Sequence, residues 1–157
     1  DKIILGPKVR IFSIQHQVIF ISAYKIFLDN LIVGVGPKMF REICKKSQYI
    51  VKSIEDRSID GCQTHPHNTY VQLLSETGIL GALPVVLGFV LVCIVFIRQG
   101  FRFIQSRKLF YSDYQICLYT AILITLWPFV PTGNLFNNWL SVIYFLPIGF
   151  LLNSYKK

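Results

Sequence analysis

An all-α, polytopic membrane protein is the fold class this sequence predicts, with an extramembrane helical loop region over residues 1–78 and three transmembrane helices over 79–157. Two observations carry that reading. Hydrophobic residues make up 53% of the 157, charged residues only 15%, and the mean hydropathy is +0.50. A soluble domain of this size carries more charge, about 25%. The charges are also unevenly placed. Residues 77–97 and 114–155 contain none, whereas residues 1–76 hold ten Lys/Arg and seven Asp/Glu. A membrane-crossing helix needs roughly 20 mostly apolar residues, and only the C-terminal half supplies such stretches. The chain opens on Asp1-Lys2-Ile3, without an initiator Met or a signal peptide. It reads as the C-terminal portion of a longer membrane protein whose upstream spans precede it.

The elements follow in order. Residues 1–10 are a connector with a Gly6-Pro7 turn signal. Residues 11–30 predict a helix rich in Ile, Phe and Val, with Lys25 and Asp29 spaced i,i+4. Gln15, His16, Gln17 and Lys25 interrupt it, so it reads as packed or surface-lying rather than spanning. Gly34-Val35-Gly36-Pro37 ends it, and Pro37 suits the first turn of a second helix, Lys38 to Lys46. Residues 47–63 read as polar and irregular. From His65 to Gly78 the chain reads as loop, then helix. Thr69 with Gln72 fits a capping box, and Tyr70, Leu73, Leu74 and Thr77 share one helical face.

Gly78 and Gly81 lead into the first span, about 79–97. Arg98, Arg102, Arg107 and Lys108 follow, against Asp113 alone. Four basic residues in a short loop mark the cytoplasmic side. The second span is about 114–130, Pro131-Thr132-Gly133-Asn134 turns the chain, and the third span is about 135–152, with a bend expected at Pro147. Lys156 and Lys157 return to the cytoplasm. Three crossings put residues 1–76 and the 131–138 loop on the outer face, which in a bacterial inner membrane is the periplasm.

The net charge of +8 suggests anionic lipid or phosphate partners. Nucleic acid is disfavoured, because no basic-aromatic binding pattern appears. The densest chemistry lies in His65-Pro66-His67-Asn68. A histidine titrates near neutrality. Placed ahead of a helix N-terminus, His67 would be kept neutral by the positive end of the dipole and would be available as a base. The same N–H groups can receive phosphate. The plain alternative is that His67 only caps the helix or packs beneath the loop.

His65 and His67 with Cys44 and Cys62 also raise the question of zinc, but C-x17-C-x2-H-x-H matches no common zinc spacing. A Cys44–Cys62 disulfide ranks first if this region faces an oxidising compartment, free thiols second and zinc third. Cys93 and Cys117 fall inside spans and read as small buried residues. Lys38 and Arg41, at i,i+3, present a phosphate-binding pair on one helix face, for which a solvated basic face is the ordinary alternative. His16 reads as packing on an apolar helix. Asn134, Asn137 and Asn138 with Trp139 read as an interfacial anchor rather than a sugar subsite.

With these residues in place, a family resemblance emerges. His67-Asn68, nine residues, then Gly78-Ile79-Leu80-Gly81 resembles the H-[NSQ]-x9-G-x-x-G signature of the O-antigen ligase and polymerase superfamily. The surrounding HPHN and TY-x-Q-LL-x-ETG are similar in detail, and FLDNLIVGVGPKMFRE resembles the segment that precedes it in the family. The similarity covers most of residues 16–83.

The resemblance implies a polytopic inner-membrane glycosyltransferase of lipopolysaccharide or polysaccharide biosynthesis. It would move a glycan from an undecaprenyl-diphosphate carrier to a hydroxyl of a lipid, glycan or protein acceptor in the periplasm, with no metal or other cofactor. The alternatives are a polymerase of the same superfamily or a non-catalytic polysaccharide-export component. The latter would place ionisable residues inside the spans, and 79–97 and 114–152 have none. By position, His67 is the essential histidine, with Asn68 and His65 supporting it at the substrate. Many members carry R-x3-W-x2-A upstream. Aligned on Ala23, this chain has Phe20 for the Trp and His16 for the Arg. Arg41, Lys38 and Arg10, or an arginine in the upstream portion, are thus the candidates for holding the diphosphate, and His16 is a further substrate-binding candidate.

Overall fold

The computed structural model describes residues 4–5, 12–53 and 58–156. The 1–10 connector (Arg10 included), residues 54–57 of the polar stretch and Lys157 fall largely or wholly outside that description. The described chain is mostly helical: α1 Ile14–Asp29, α2 Phe40–Ile43, α3 Thr69–Ser106, α4 Asp113–Thr125 and α5 Asn138–Ser154. One small departure from all-α is a two-residue parallel pair, β1 Ile4–Leu5 with β2 Lys52–Ser53. The chain forms two compact units. The first is Asp1–Leu83 with Phe129–Phe136, and the second is Pro84–Pro128 with Asn137–Lys157.

In the first unit, α1 starts where Ser13 caps it, its hydroxyl accepting from the His16 N–H. Val18, Ile19, Ser22, Ala23 and Ile26 are buried along one face, the stripe that packs an amphipathic helix. Ile19, Ala23 and Ile26 form a core with Phe40, Cys44 and Tyr49. Ser22 Oγ donates to the Tyr49 carbonyl at 2.9 Å and Tyr49 Oη to Asp29 Oδ2 at 2.8 Å. The expected helix from Lys38 to Lys46 is cut to one turn. Lys38 sits at φ 63, outside helical geometry, so α2 begins only at Phe40. Lys38 and Arg41 therefore do not share a helix face.

Cys44 and Cys62 are joined as a disulfide across 18 residues. It ties α2 to the approach of the His65 loop. Chain-entropy arguments assign a loop of this length about 3 kcal/mol. A Cys44→Ala/Cys62→Ala variant is therefore expected to lose about that much stability, read as a lowered midpoint in thermal unfolding of detergent-solubilised protein. An unchanged midpoint would show that the bridge constrains nothing.

The centre of this unit is a backbone crossing. Gly78 interrupts α3 at φ 64, ψ −164, a region open essentially to glycine alone. Residues 31–36 enter the gap. Val35 N donates to Ser75 O at 3.2 Å and Gly36 N to Glu76 O at 2.8 Å. Ile79 N donates to Leu31 O at 2.9 Å and Leu80 N to Ile32 O at 3.2 Å. Those four bonds take the place of the two helical bonds from residues 79 and 80 that the break removes. A Cβ on Gly34 would strike the Glu76–Thr77 backbone, and one on Gly78 the Ile32–Val33 backbone. The two glycines of the separate motifs are thus the two sides of one close approach. Gly81 leaves the room that the Thr77 side chain occupies.

α3, which carries on into the second unit, is the one helix among the described residues long and apolar enough to cross a membrane. Only 11% of its most apolar 18-residue stretch is buried, which is unlike the core helix of a soluble domain. It runs to Ser106, so the expected 98–113 loop shrinks to residues 107–112. There Arg102 lies over the Phe110 ring at 4.1 Å, and Gln99 Oε1 accepts from Phe110 N at 3.0 Å. Ser112 and Gln115 form a reciprocal capping box that starts α4.

The helices read as second and third spans are shorter than expected. α4 has 13 residues and α5 has 17. At 1.5 Å per residue these reach about 20 and 25 Å, against roughly 30 Å of hydrocarbon. Pro128 explains the early end of α4, since a proline disfavours helical geometry in the residue before it. α5 runs through Pro147. Val92, Ile122 and Leu151 are the buried centre where α3, α4 and α5 pack.

Candidate active site

The structure brings the three histidines of the chain together, all within the first unit. His65 and His67 have ring centroids 4.2 Å apart, and His16, from the first turn of α1, stands edge-on to His67 at 5.8 Å. His16 Nδ1 is 2.7 Å from Ser13 Oγ, so the residue that caps α1 also orients the imidazole.

His67 sits at φ 55, a left-handed conformation that costs a non-glycine residue about 1–2 kcal/mol. Pro66 before it is buried, and α3 begins two residues after it. The helix cap differs from expectation. Asn68, not Thr69, is the cap, its Oδ1 accepting from Tyr70 N at 3.0 Å and Val71 N at 3.2 Å. Asn68 is thereby committed to α3, and it positions His67 through the backbone.

The buried face of this first stretch of α3 is polar. Thr69, Gln72, Ser75 and Glu76 are all at most 2% exposed, and Leu73 is 4% exposed. Periodicity points to Tyr70, Leu73, Leu74 and Thr77, of which only Leu73 is buried. The polar groups have partners. Glu76 Oε1 accepts from Phe40 N at 2.9 Å and Oε2 from Gln72 Nε2 at 2.8 Å. Gln72 Nε2 also donates to Asn134 Oδ1 at 2.8 Å, and its Oε1 accepts from Leu135 N at 3.0 Å. Asn134 further accepts from Phe136 N at 2.9 Å, so its side chain braces the 131–136 turn. Thr132 N donates to the His67 carbonyl at 3.0 Å, and His65 Nε2 is 3.3 Å from the Thr132 carbonyl. Sequence reasoning misses Glu76, Gln72 and Thr132 as parts of the site. Only the run of polar residues at i, i+3, i+7 hints at the first two.

The electrostatics favour neutral imidazoles. Burial is the largest cause pushing His65 below its ordinary range, opposed by its bond to the Thr132 carbonyl and by the Glu76 charge. Burial also lowers His67, helped by its two histidine neighbours, His65 and His16. A neutral, partly exposed His67 can accept a proton at pH 7.

Other sequence candidates fall elsewhere. Lys38 and Arg41 are exposed, and no described contact ties either to the histidines. The four-ligand zinc site is excluded, because both cysteines are spent in the disulfide. Among the described residues no group of three His, Cys, Asp or Glu is arranged to hold a metal ion. An apolar cavity of about 210 Å³ lies between α1 and the start of α3, lined by Phe20, Ala23, Tyr24, Phe27, Val71 and Leu74.

No curated protein and no solved structure matches the chain. The sequence model of the O-antigen ligase family matches residues 17–86. That segment takes in α1 from Gln17 onward, the glycine crossing, the disulfide, His65, His67 and the break at Gly78, and begins one residue after His16. Over residues 17–86, and so over the segment that holds the glycine crossing, His65 and His67, the chain is similar to the O-antigen ligase family.

Proposed function

We propose that the protein is a glycosyltransferase that moves a glycan from an undecaprenyl-diphosphate carrier to an acceptor hydroxyl at the periplasmic face of a bacterial inner membrane. The observation that carries this is the convergence of His16, His65 and His67. His67 there is partly exposed, held below its ordinary range first by burial, and kept off the helix by a left-handed backbone. In this reading α3, α4 and α5 are the three crossings. The Cys44–Cys62 bridge supports an oxidising compartment for the histidine region.

The reaction is an in-line displacement at the anomeric carbon. The acceptor O–H gives its proton to His67 as the new C–O bond forms. The C–O bond to the diphosphate breaks, and its electron pair leaves with the phosphate oxygen. Cationic side chains neutralise that developing charge. Lys38 and Arg41 supply that charge only if the donor's phosphates reach the exposed turn before α2, while His16, beside His67, offers the phosphate a hydrogen bond. Asn68 and His65 hold the site in place.

The test is complementation of a strain lacking the full-length gene. Wild type restores the surface glycan and His67→Ala does not. Restoration by the variant at wild-type level would sink the mechanism. The deletion phenotype also separates two chemistries. Loss of all attached glycan indicates a ligase, and attachment of single units a polymerase.

A further inference from the structure

The turn at residues 131–136 lies outside the family match, which ends at residue 86. Yet it carries a residue, Thr132, that meets the histidine loop at two points and the start of α3 at a third. Its N–H donates to the His67 carbonyl at 3.0 Å. Its carbonyl lies 3.3 Å from His65 Nε2. Its hydroxyl accepts from Thr69 Oγ1 at 3.0 Å, on the first residue of α3.

A carbonyl only accepts, so His65 carries its proton on Nε2. In the neutral ring Nδ1 is then the acceptor for the Thr64 hydroxyl at 3.0 Å. Thr132 therefore fixes the tautomer of one histidine and the strained backbone of the other. The turn itself is locked to α3 by Gln72, fully buried, through Asn134 and the Leu135 N–H. Side chains do not hold left-handed backbones by themselves, and a conformation of that kind persists when its surroundings over-determine it. Here the surroundings of His67 are Pro66, the Asn68 cap and Thr132.

We infer that Thr132 is a positioning residue for His67, and that the 131–136 turn is a working part of the site rather than a connection between helices. This rests on the reading of His67 as the base. The titratable groups facing the pair are His16 from α1 and Glu76 from α3. Neither touches Thr132, so a change at Thr132 acts through the placement and burial of the histidines.

Transfer is measured with the full-length protein, using the lipid-linked glycan that accumulates in a strain lacking the gene. Thr132→Val removes the hydroxyl while keeping shape. It is expected to lower kcat about tenfold, as a small misplacement of a base does, with donor KM within about twofold. It should also move the acidic limb of kcat/KM upward, toward about 6.5, as the histidine pair takes up water. Thr132→Ser should keep both wild-type values. Formation of the Cys44–Cys62 bridge, read by thiol labelling, reports that the unit is folded. If Thr132→Val does not accumulate, Thr69→Val removes the same bond from the α3 side and must show both changes. A wild-type kcat and limb, or a kcat loss without movement of the limb, overturns the inference. The two readings fail separately. His67→Ala at full rate removes the catalytic proposal, whereas an inactive His67→Ala beside an unaffected Thr132→Val removes only this one.

Discussion

Gly78→Ala is expected to be the most damaging single substitution to the fold. Two costs add. The ψ of −164 at φ 64 lies where side chains are excluded, and a residue forced there loses about 1–3 kcal/mol. The new Cβ would also meet the Ile32 carbonyl and stand 2.6 Å from Val33 N. It would push residues 31–36 out of the gap and weaken four backbone hydrogen bonds, each worth about 0.5–1.5 kcal/mol net. Together these approach the whole stability of a small domain, about 5–15 kcal/mol. Gly34→Ala strikes the same crossing from the other strand and should behave alike.

Gly88→Ala is the internal control. That glycine lies further along α3, and a Cβ added there would find nothing within 4 Å, so alanine should stabilise the helix by about 0.5–1 kcal/mol. Thermal unfolding of the three variants in one detergent ranks them. A Gly78→Ala protein as stable as Gly88→Ala would mean that the crossing is not what the two glycines are for.

The crossing also marks where sequence stops being informative. Both glycine motifs stand out in the chain, and each is readable as a turn. That they face each other is not, because a backbone contact between residues 34 and 78 leaves no periodic trace in either segment. α1 is legible because five buried positions repeat on one face, and its true start depends only on Ser13. The Lys38–Lys46 helix misleads because Pro37 is a good helix starter. Nothing in the side chains reveals the positive φ at Lys38 that delays the helix to Phe40. The long apolar stretch of α3 declares itself by composition. The lengths of α4 and α5 do not, since Pro128 and the 131–136 turn take residues from both ends of apolar runs.

The site divides in the same way. His65 and His67 are visible as neighbours in sequence. His16 stands out only through a family alignment, and only the fold sets it 5.8 Å from His67. The buried polar face of α3 reverses the ordinary reading of an amphipathic helix. Some of its partners lie about 60 residues onward, in a turn that looks like a plain Pro-Thr-Gly-Asn connection, and one, the Phe40 N–H, lies 36 residues upstream. Gln72 reads as half of a capping box. Its amide instead bonds Glu76, Asn134 and the Leu135 N–H, and Asn68 takes the capping role. A buried polar group is costly without partners, so such a face predicts a second segment, but not which one.

The largest effect on activity is expected at His67. Removing a general base slows transfer by about 10²–10⁴-fold. His67→Ala should therefore drop kcat by that range, with donor KM changed far less. The pH profile tests the same claim in wild type. Burial, then His65, then His16 lower the His67 pKa, so the neutral base persists below its ordinary value of about 6.5. The acidic limb of kcat/KM should accordingly lie under that value, as a property of the coupled histidines rather than of one ring.

Stability shares the sign. Below about 6.5 the unfolded chain takes up protons that the folded histidines resist. The contribution of His65 and His67 is thus complete above that pH and is lost as pH falls through their lowered folded values. Replacing His16 with Gln removes one of the neighbouring charges that depress His67, so the limb should rise without reaching 6.5, because burial, the largest cause, remains. A limb well above neutral pH in wild type would mean that His67 is charged at rest and serves the leaving diphosphate instead of the acceptor hydroxyl. A His67→Ala enzyme at full kcat would remove it from the reaction altogether.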